Sequence, residues 1–163
     1  MARYTGPKNK KARRLGVDLG LKSNPKSTER RINTPPGQHG RKGSRKVSDY
    51  GVQLAEKQKG KIIYGILEKQ FKKYYLTATK TPGSTGEIML SLLERRLDNV
   101  IYRLGFAPTR AAARQLVAHG NVLVDGKKLN IPSYQVTVSS VVSLSPGAAV
   151  IPYIKTMLDN KDY

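Results

Sequence analysis

The side chains in this sequence best equipped for chemistry are its arginines and lysines. There are 30 of them against 11 acids in 163 residues, a formal net charge of +19. A guanidinium grips a phosphate through two parallel hydrogen bonds and stacks on unpaired bases, whereas an ammonium acts as a compact point charge. Two stretches concentrate these groups: Lys8, Lys10, Lys11, Arg13 and Arg14 near the start, then Arg41, Lys42, Arg45 and Lys46. A third set is spaced regularly. Arg110 and Arg114 stand four apart, so a helix would project them from one face, with Arg110 in the first turn, where free backbone N–H groups favour a phosphate. Neither has an acidic neighbour at helical spacing, which points them at RNA. Arg95, Arg96 and Arg103 decorate the preceding helix, and there Arg96 and Asp98 read as an ion pair.

Other chemistries lack their residues. Without cysteine no disulfide or thiolate metal site can form, and His39 and His119 lie far apart with no acidic cluster near either. No cofactor is therefore expected. No nucleophile–base signature, phosphate-loop glycine pattern or dinucleotide fingerprint occurs, and Asp98 among arginines suits a salt bridge better than catalysis. The chain is not expected to be an enzyme. A membrane surface is the physical alternative for so basic a chain. No apolar run approaches the roughly 18 residues of a membrane span, however, and the start has no secretory core. The excess charge opposes compaction until a polyanion neutralises it, so with no membrane signal nucleic acid is the expected partner and a membrane is not.

The elements that must position these groups fall into four regions. Residues 1–47 carry net +12 of the charge and few bulky apolar side chains, so alone they should be an extended, mobile arm that orders on RNA. Within it, Pro35-Pro36-Gly37-Gln38-His39-Gly40 reads as a rigid turn. Residues 48–86 are helical. Ser48 or Asp49 caps a helix to about Lys59, Gly60 and Gly65 punctuate, and a second helix runs from about Leu67 to Ala78 with Tyr74 and Tyr75 in its core face. Residues 87–145 form a small α+β domain, two helices packed on a twisted antiparallel sheet. One helix runs from about Glu87 to Leu104, the next from its N-cap Thr109 to about His119. Asp125-Gly126 turns a hairpin, and Val136/Val138 and Val141/Val142/Leu144 supply further strands. Residues 146–163 form a C-terminal segment in which Ile154-Lys155-Thr156-Met157-Leu158 reads as the start of a helix.

The stretch Leu93-Glu94-Arg95-Arg96-Leu97-Asp98-Asn99-Val100-Ile101-Tyr102-Arg103-Leu104-Gly105-Phe106 resembles the opening of the S-four RNA-binding domain. Thr109-Arg110, Ala113-Arg114-Gln115-Leu116-Val117, His119-Gly120 and Val124-Asp125-Gly126-Lys127 continue the likeness. RNA-modifying enzymes share that module, but they would need a catalytic domain for which no sequence remains. Met1-Ala2-Arg3-Tyr4-Thr5-Gly6-Pro7, Pro36-Gly37-Gln38-His39-Gly40, Ser48-Asp49-Tyr50-Gly51-Val52-Gln53-Leu54, Glu56-Lys57-Gln58-Lys59, Ile63-Tyr64-Gly65 and Ile131-Pro132-Ser133-Tyr134-Gln135-Val136 are similar to the bacterial or organellar small-subunit ribosomal protein S-four family.

The resemblance implies a structural protein of the small subunit, in the cytoplasm or in an organelle. Such a protein binds a multi-helix junction in the 5′ domain of small-subunit rRNA and nucleates assembly. It contacts small-subunit ribosomal protein five and helps line the site where mRNA enters, with effects on decoding accuracy. On this likeness the rRNA-binding set is Arg3, Lys8, Lys10, Lys11, Arg13, Arg14, His39, Lys57, Lys59, Lys72, Lys73, Arg95, Arg103, Arg110, Arg114 and Lys127. Arg41, Lys42, Arg45 and Lys46 would meet mRNA. Two departures stand out. Many family members bind zinc through four N-terminal cysteines, which this chain lacks, and family chains usually continue past the point where this one stops, Tyr163, into a segment that packs back on the body.

Metal should therefore be dispensable. Exhaustive dialysis against a chelator is expected to leave the thermal midpoint unchanged, and stoichiometric zinc surviving that dialysis would overturn the expectation.

Overall fold

A computed structural model describes residues 3–22, 29–38, 40 and 47–159. The chain divides into two compact units, residues 1–73 and 74–163.

The N-terminal unit opens with a helix where composition suggested an extended arm: α1, Lys8–Leu15. Lys, Arg, Ala and Leu are all good helix formers, and the stop is local, because Gly16 takes a left-handed φ of 64° and its N–H closes on the Ala12 carbonyl. Eight residues are too few to hold a helix alone. The tertiary ties are a buried Ala12 and Arg13, whose Nε donates to the Thr34 carbonyl (2.9 Å) and Nη2 to that of Pro35 (3.2 Å). The Pro/Gly turn is as tight as its residues suggest. Gly37 has a φ of 105°, and a Cβ at Gly40 would collide with the Pro35 carbonyl.

Helix α2, Asp49–Ile63, is capped by the Ser48 hydroxyl, which accepts from the Gly51 N–H (3.3 Å). It runs through Gly60, past the expected end at Lys59, and stops at Tyr64 and Gly65, where φ turns positive. Helix α3 follows at Glu68–Lys80, and the boundary between the units falls inside it. Ile66 and Phe71 are buried in the N-terminal unit. In the C-terminal unit Tyr74 is half-buried, while Tyr75 is exposed and does not join a core.

The C-terminal unit corrects one expectation of the sequence. The single helix predicted from Glu87 to Leu104 is two, α4 at Thr85–Glu94 and α5 at Leu97–Arg103. Between them Arg96 is extended (φ −64°, ψ 135°) and pairs antiparallel with Gln135. The break lets a distant segment, residues 132–136, complete the start of α5. The carbonyl of Tyr134 accepts from Leu97 N–H (2.9 Å) and that of Pro132 from Asp98 N–H (3.1 Å), satisfying donors that a helix start leaves unpaired. Val136 therefore belongs to this pairing and not to the sheet. The break also shifts the helical phase, so Leu93, Leu97 and Ile101 are buried while Leu90 and Leu104 are exposed.

Helix α6, Arg110–Ala118, starts as expected, with the Thr109 hydroxyl accepting from Ala112 N–H (3.2 Å). Three short strands follow: β1 Val122–Val124, β2 Lys127–Lys128 and β3 Val142–Leu144, in the order β2-β1-β3, all antiparallel. Positive φ at both Asp125 (51°) and Gly126 (77°) makes the β1–β2 turn the type whose twist suits a two-residue hairpin. A 3₁₀ turn at Pro146–Val150 and helix α7, Pro152–Asp159, close the unit. Ala148 and Ile154 enter the same core as Leu97, Ile101, Ala113, Val117, Val122 and Val136, so the segment after residue 145 packs on the domain. The α+β reading holds.

Inside this core lies an ionic cluster. Arg96, fully buried, forks onto Asp98 through Nε (3.0 Å to Oδ1) and Nη2 (2.6 Å to Oδ2). Its Nη1 donates to the Tyr74 hydroxyl (2.9 Å). Arg114 reaches the same Oδ2 from α6 through Nε and Nη2, both at 3.1 Å. Burial works against the Arg96 charge. The hydrogen-bonded carboxylate of Asp98 outweighs it and holds the guanidinium above its ordinary pKa.

Removing the shared carboxylate would strand two buried cations. Asp98→Ala should lower stability by about 3–5 kcal/mol, read from urea denaturation followed by circular dichroism. A loss under about 1 kcal/mol would show that the cluster does not hold the helices.

Candidate nucleic-acid interface

The arginines of the C-terminal unit divide between the interior and the surface. Arg114, predicted to face RNA beside Arg110, is turned inward, buried against Asp98. The sequence showed no acid within helical reach on α6, and the partner comes from α5 instead. Arg96 and Asp98 pair as expected.

Arg110 follows a different course. Its Nε donates to the Oδ1 of Asn99 (2.8 Å), and its guanidinium lies over the Tyr102 ring, 4.5 Å from the centroid. Asn99 in turn donates from Nδ2 to the Oε2 of Glu94 (2.7 Å) and to the Glu94 carbonyl (3.0 Å). Arg103 forks onto the same carboxylate, Nε to Oε2 (3.1 Å) and Nη2 to Oε1 (2.9 Å). A chain of contacts, Arg103–Glu94–Asn99–Arg110, thus joins α4, α5 and α6 and brings two of the predicted RNA-binding arginines together. Arg103 is exposed and Arg110 half-buried. Arg95 is exposed as well, its Nε donating to the Val136 carbonyl (3.1 Å), and Lys127 stands exposed on the hairpin.

In the N-terminal unit Arg3, Lys10, Arg14, Lys72 and Lys73 are exposed. Lys11 lies over the Tyr4 ring (4.9 Å), and Lys8 Nζ donates to the Leu21 carbonyl (3.4 Å). Arg13 is half-buried and holds the turn at residues 34–35. Lys57 pairs with Glu68 and Lys59 with Glu56. Hydrogen bonds from Lys57 and then Lys61 lower the Glu68 pKa, so this pairing supports the fold above the ordinary carboxylate range and fades as the pH falls through it. The exposure of the group keeps the effect small. His39 and the cluster Arg41, Lys42, Arg45 and Lys46 lie outside the described residues.

Sequence reasoning missed Asn99 and Tyr102 as supports of Arg110, and Lys128 as an exposed cation beside Lys127. Asn99 and Tyr102 are three apart on α5, a spacing that places both on one face. The amide hides its role because only the fold brings Arg110 to it. Among the described residues no cluster of His, Asp or Glu could hold a metal ion, and no helix is long and apolar enough to cross a membrane.

Comparisons with known proteins cover nearly the whole chain. The family described as ribosomal protein S4/S9 N-terminal domain matches residues 3–94, and the S4 domain matches residues 95–142. The small ribosomal subunit protein uS4 of Aquifex aeolicus is 58% identical over 166 residues, 99% of this chain and 78% of its own length. That of Chloroflexus aurantiacus is 53% identical over 98% of this chain and 77% of its own length. That of Brevibacillus brevis is 50% identical over the full chain and 80% of its own length.

Proposed function

This chain belongs to the small ribosomal subunit protein uS4 family, and from that membership we propose that it anchors the 5′ domain of small-subunit rRNA and nucleates assembly there. The family is structural, not enzymatic, and the bacterial members named above are proteins of the small ribosomal subunit, a particle of rRNA and protein. Within that role, the observation that carries the reading for this chain is the sorting of its cations. The ionic cluster around Asp98 locks α5 to α6 internally, while Arg95, Arg103, Arg110 and Lys127 stand at or near the surface of the same unit. A rigid support with fixed guanidinium groups suits a folded RNA, whose shape and phosphates are read more than its base sequence.

The basic stretch after the Pro/Gly turn suits a different strand. Arg41, Lys42, Arg45 and Lys46 are proposed to meet mRNA where it enters the subunit. There their charge would hold separated strands through the phosphates without regard to sequence. Contact with small-subunit ribosomal protein five and an influence on decoding accuracy are proposed on the family likeness alone.

The anchoring role predicts that the protein alone protects a junction in a 5′-domain transcript from chemical probes. Its affinity should fall steeply with salt, the log–log slope growing by roughly 0.7–0.9 for each phosphate neutralised. Protection confined to another rRNA domain would displace the assignment.

The mRNA role predicts that replacing Arg41, Lys42, Arg45 and Lys46 with Ala leaves incorporation into subunits intact. Translation through stable mRNA helices should slow, and translation of unstructured messages should not. Equal slowing on both, or failure to incorporate, would assign these residues to rRNA docking.

A further inference from the structure

We propose that Asn99 is a positioning residue that aims Arg110 at ribosomal RNA, an inference that rests on the rRNA-binding role argued above. Asn99 is buried and its amide is used at both ends. The Nδ2 end is fixed by two acceptors on Glu94, at 2.7 and 3.0 Å, so the Oδ1 end must face α6, where it accepts from Arg110 Nε at 2.8 Å. The flipped amide would set its oxygen against the Glu94 oxygens and its hydrogens against the guanidinium, so only one orientation is satisfied. Arg103 clamps the Glu94 carboxylate from the far side, which holds that acceptor in place.

The consequence falls on Arg110. A long side chain has many rotamers, and fixing it on binding costs affinity. Here Nε is held by Asn99 and the guanidinium rests on the Tyr102 ring, so its direction is set before RNA arrives. Asn99 does this without adding charge. A carboxylate at that position would neutralise Arg110 and weaken its attraction for phosphate, whereas a neutral amide orients the cation and leaves its charge intact. Arg103, its charge met by the Glu94 carboxylate, braces the acceptor, and Arg110 is the guanidinium that the arrangement presents.

The test is a double-mutant cycle on the full chain, read as affinity for a small-subunit 5′-domain transcript over a range of salt, with thermal midpoints recorded alongside. Arg110→Ala should weaken binding about tenfold and flatten the salt slope by roughly 0.7–0.9. Asn99→Ala should weaken binding several-fold with the slope unchanged, because no charge is lost. In the Arg110→Ala background, Asn99→Ala should cost nothing further. An equal loss in both backgrounds would show that Asn99 serves only the fold and would overturn the inference. Should Asn99→Ala fail to fold, Asn99→Ser leaves a hydroxyl and no group that reaches Arg110, and the same expectations apply. If Arg110→Ala binds like the parent while Arg103→Ala does not, the rRNA role stands and the inference falls. If the parent protein itself does not bind the transcript, the functional reading fails first.

Discussion

One carboxylate holds the C-terminal unit in register. Asp98 accepts from Arg96 on one side and Arg114 on the other, and all three are buried. Two cations and one anion in an apolar core are costly to desolvate, so the arrangement persists only where geometry is good and spare donors find partners. The fork of Arg96 onto both oxygens meets that demand, and the Tyr74 hydroxyl takes its third nitrogen. The elements that carry Arg103 and Arg110, α5 and α6, are the two that this carboxylate ties together. Directional bonds at that joint fix how one helix sits on the other more narrowly than apolar contacts alone, which tolerate sliding.

The same cluster explains which parts of the architecture could be read from the sequence. Caps and turns were legible because their physics is local. Ser48, Thr109 and Asp125-Gly126 each act within three residues of themselves, and each does what its type suggests. The orientation of Arg114 was not legible, since its partner lies 16 residues away on another helix. The break at Arg96 was hidden for a like reason: hydrophobic spacing through residues 90–104 is compatible with one helix, and only pairing with residues 132–136 favours two. Helix α1 was missed because a charge-rich, apolar-poor segment looks disordered when its tertiary ties are unseen. Arg13 bonds to carbonyls 21 and 22 residues away.

At the candidate interface the residue types were readable and their division of labour was not. Arginine at 95, 96, 103, 110 and 114 signals phosphate recognition equally at every position. The fold assigns Arg96 and Arg114 to the interior, Arg103 and Arg110 to a shared polar chain, and Arg95 to the Val136 carbonyl. A net charge of +19 therefore overstates the charge offered to a partner, because part of it is consumed in building the support. That partition also separates two kinds of failure. Loss of an interior arginine removes the platform, whereas loss of a surface one removes a single cation and leaves the platform standing.

The pairing of Arg95 with Val136 spans 41 residues, and the neighbouring carbonyls of Pro132 and Tyr134 finish the start of α5. A chain made from its N-terminus cannot form that contact until residue 136 has left the exit tunnel. At roughly 5–20 residues per second, at least 2–8 seconds separate the synthesis of the first partner from that of the second. During that interval the arginines of residues 95–103 emerge beside a translating ribosome, itself a mass of phosphate, before their fold-mates exist. Local helix formation is faster than this by many orders of magnitude, so α4 and α6 can be ready while the start of α5 waits for its partners. The order of synthesis thus imposes a delay on the finished fold, set by the position of one short segment in the chain.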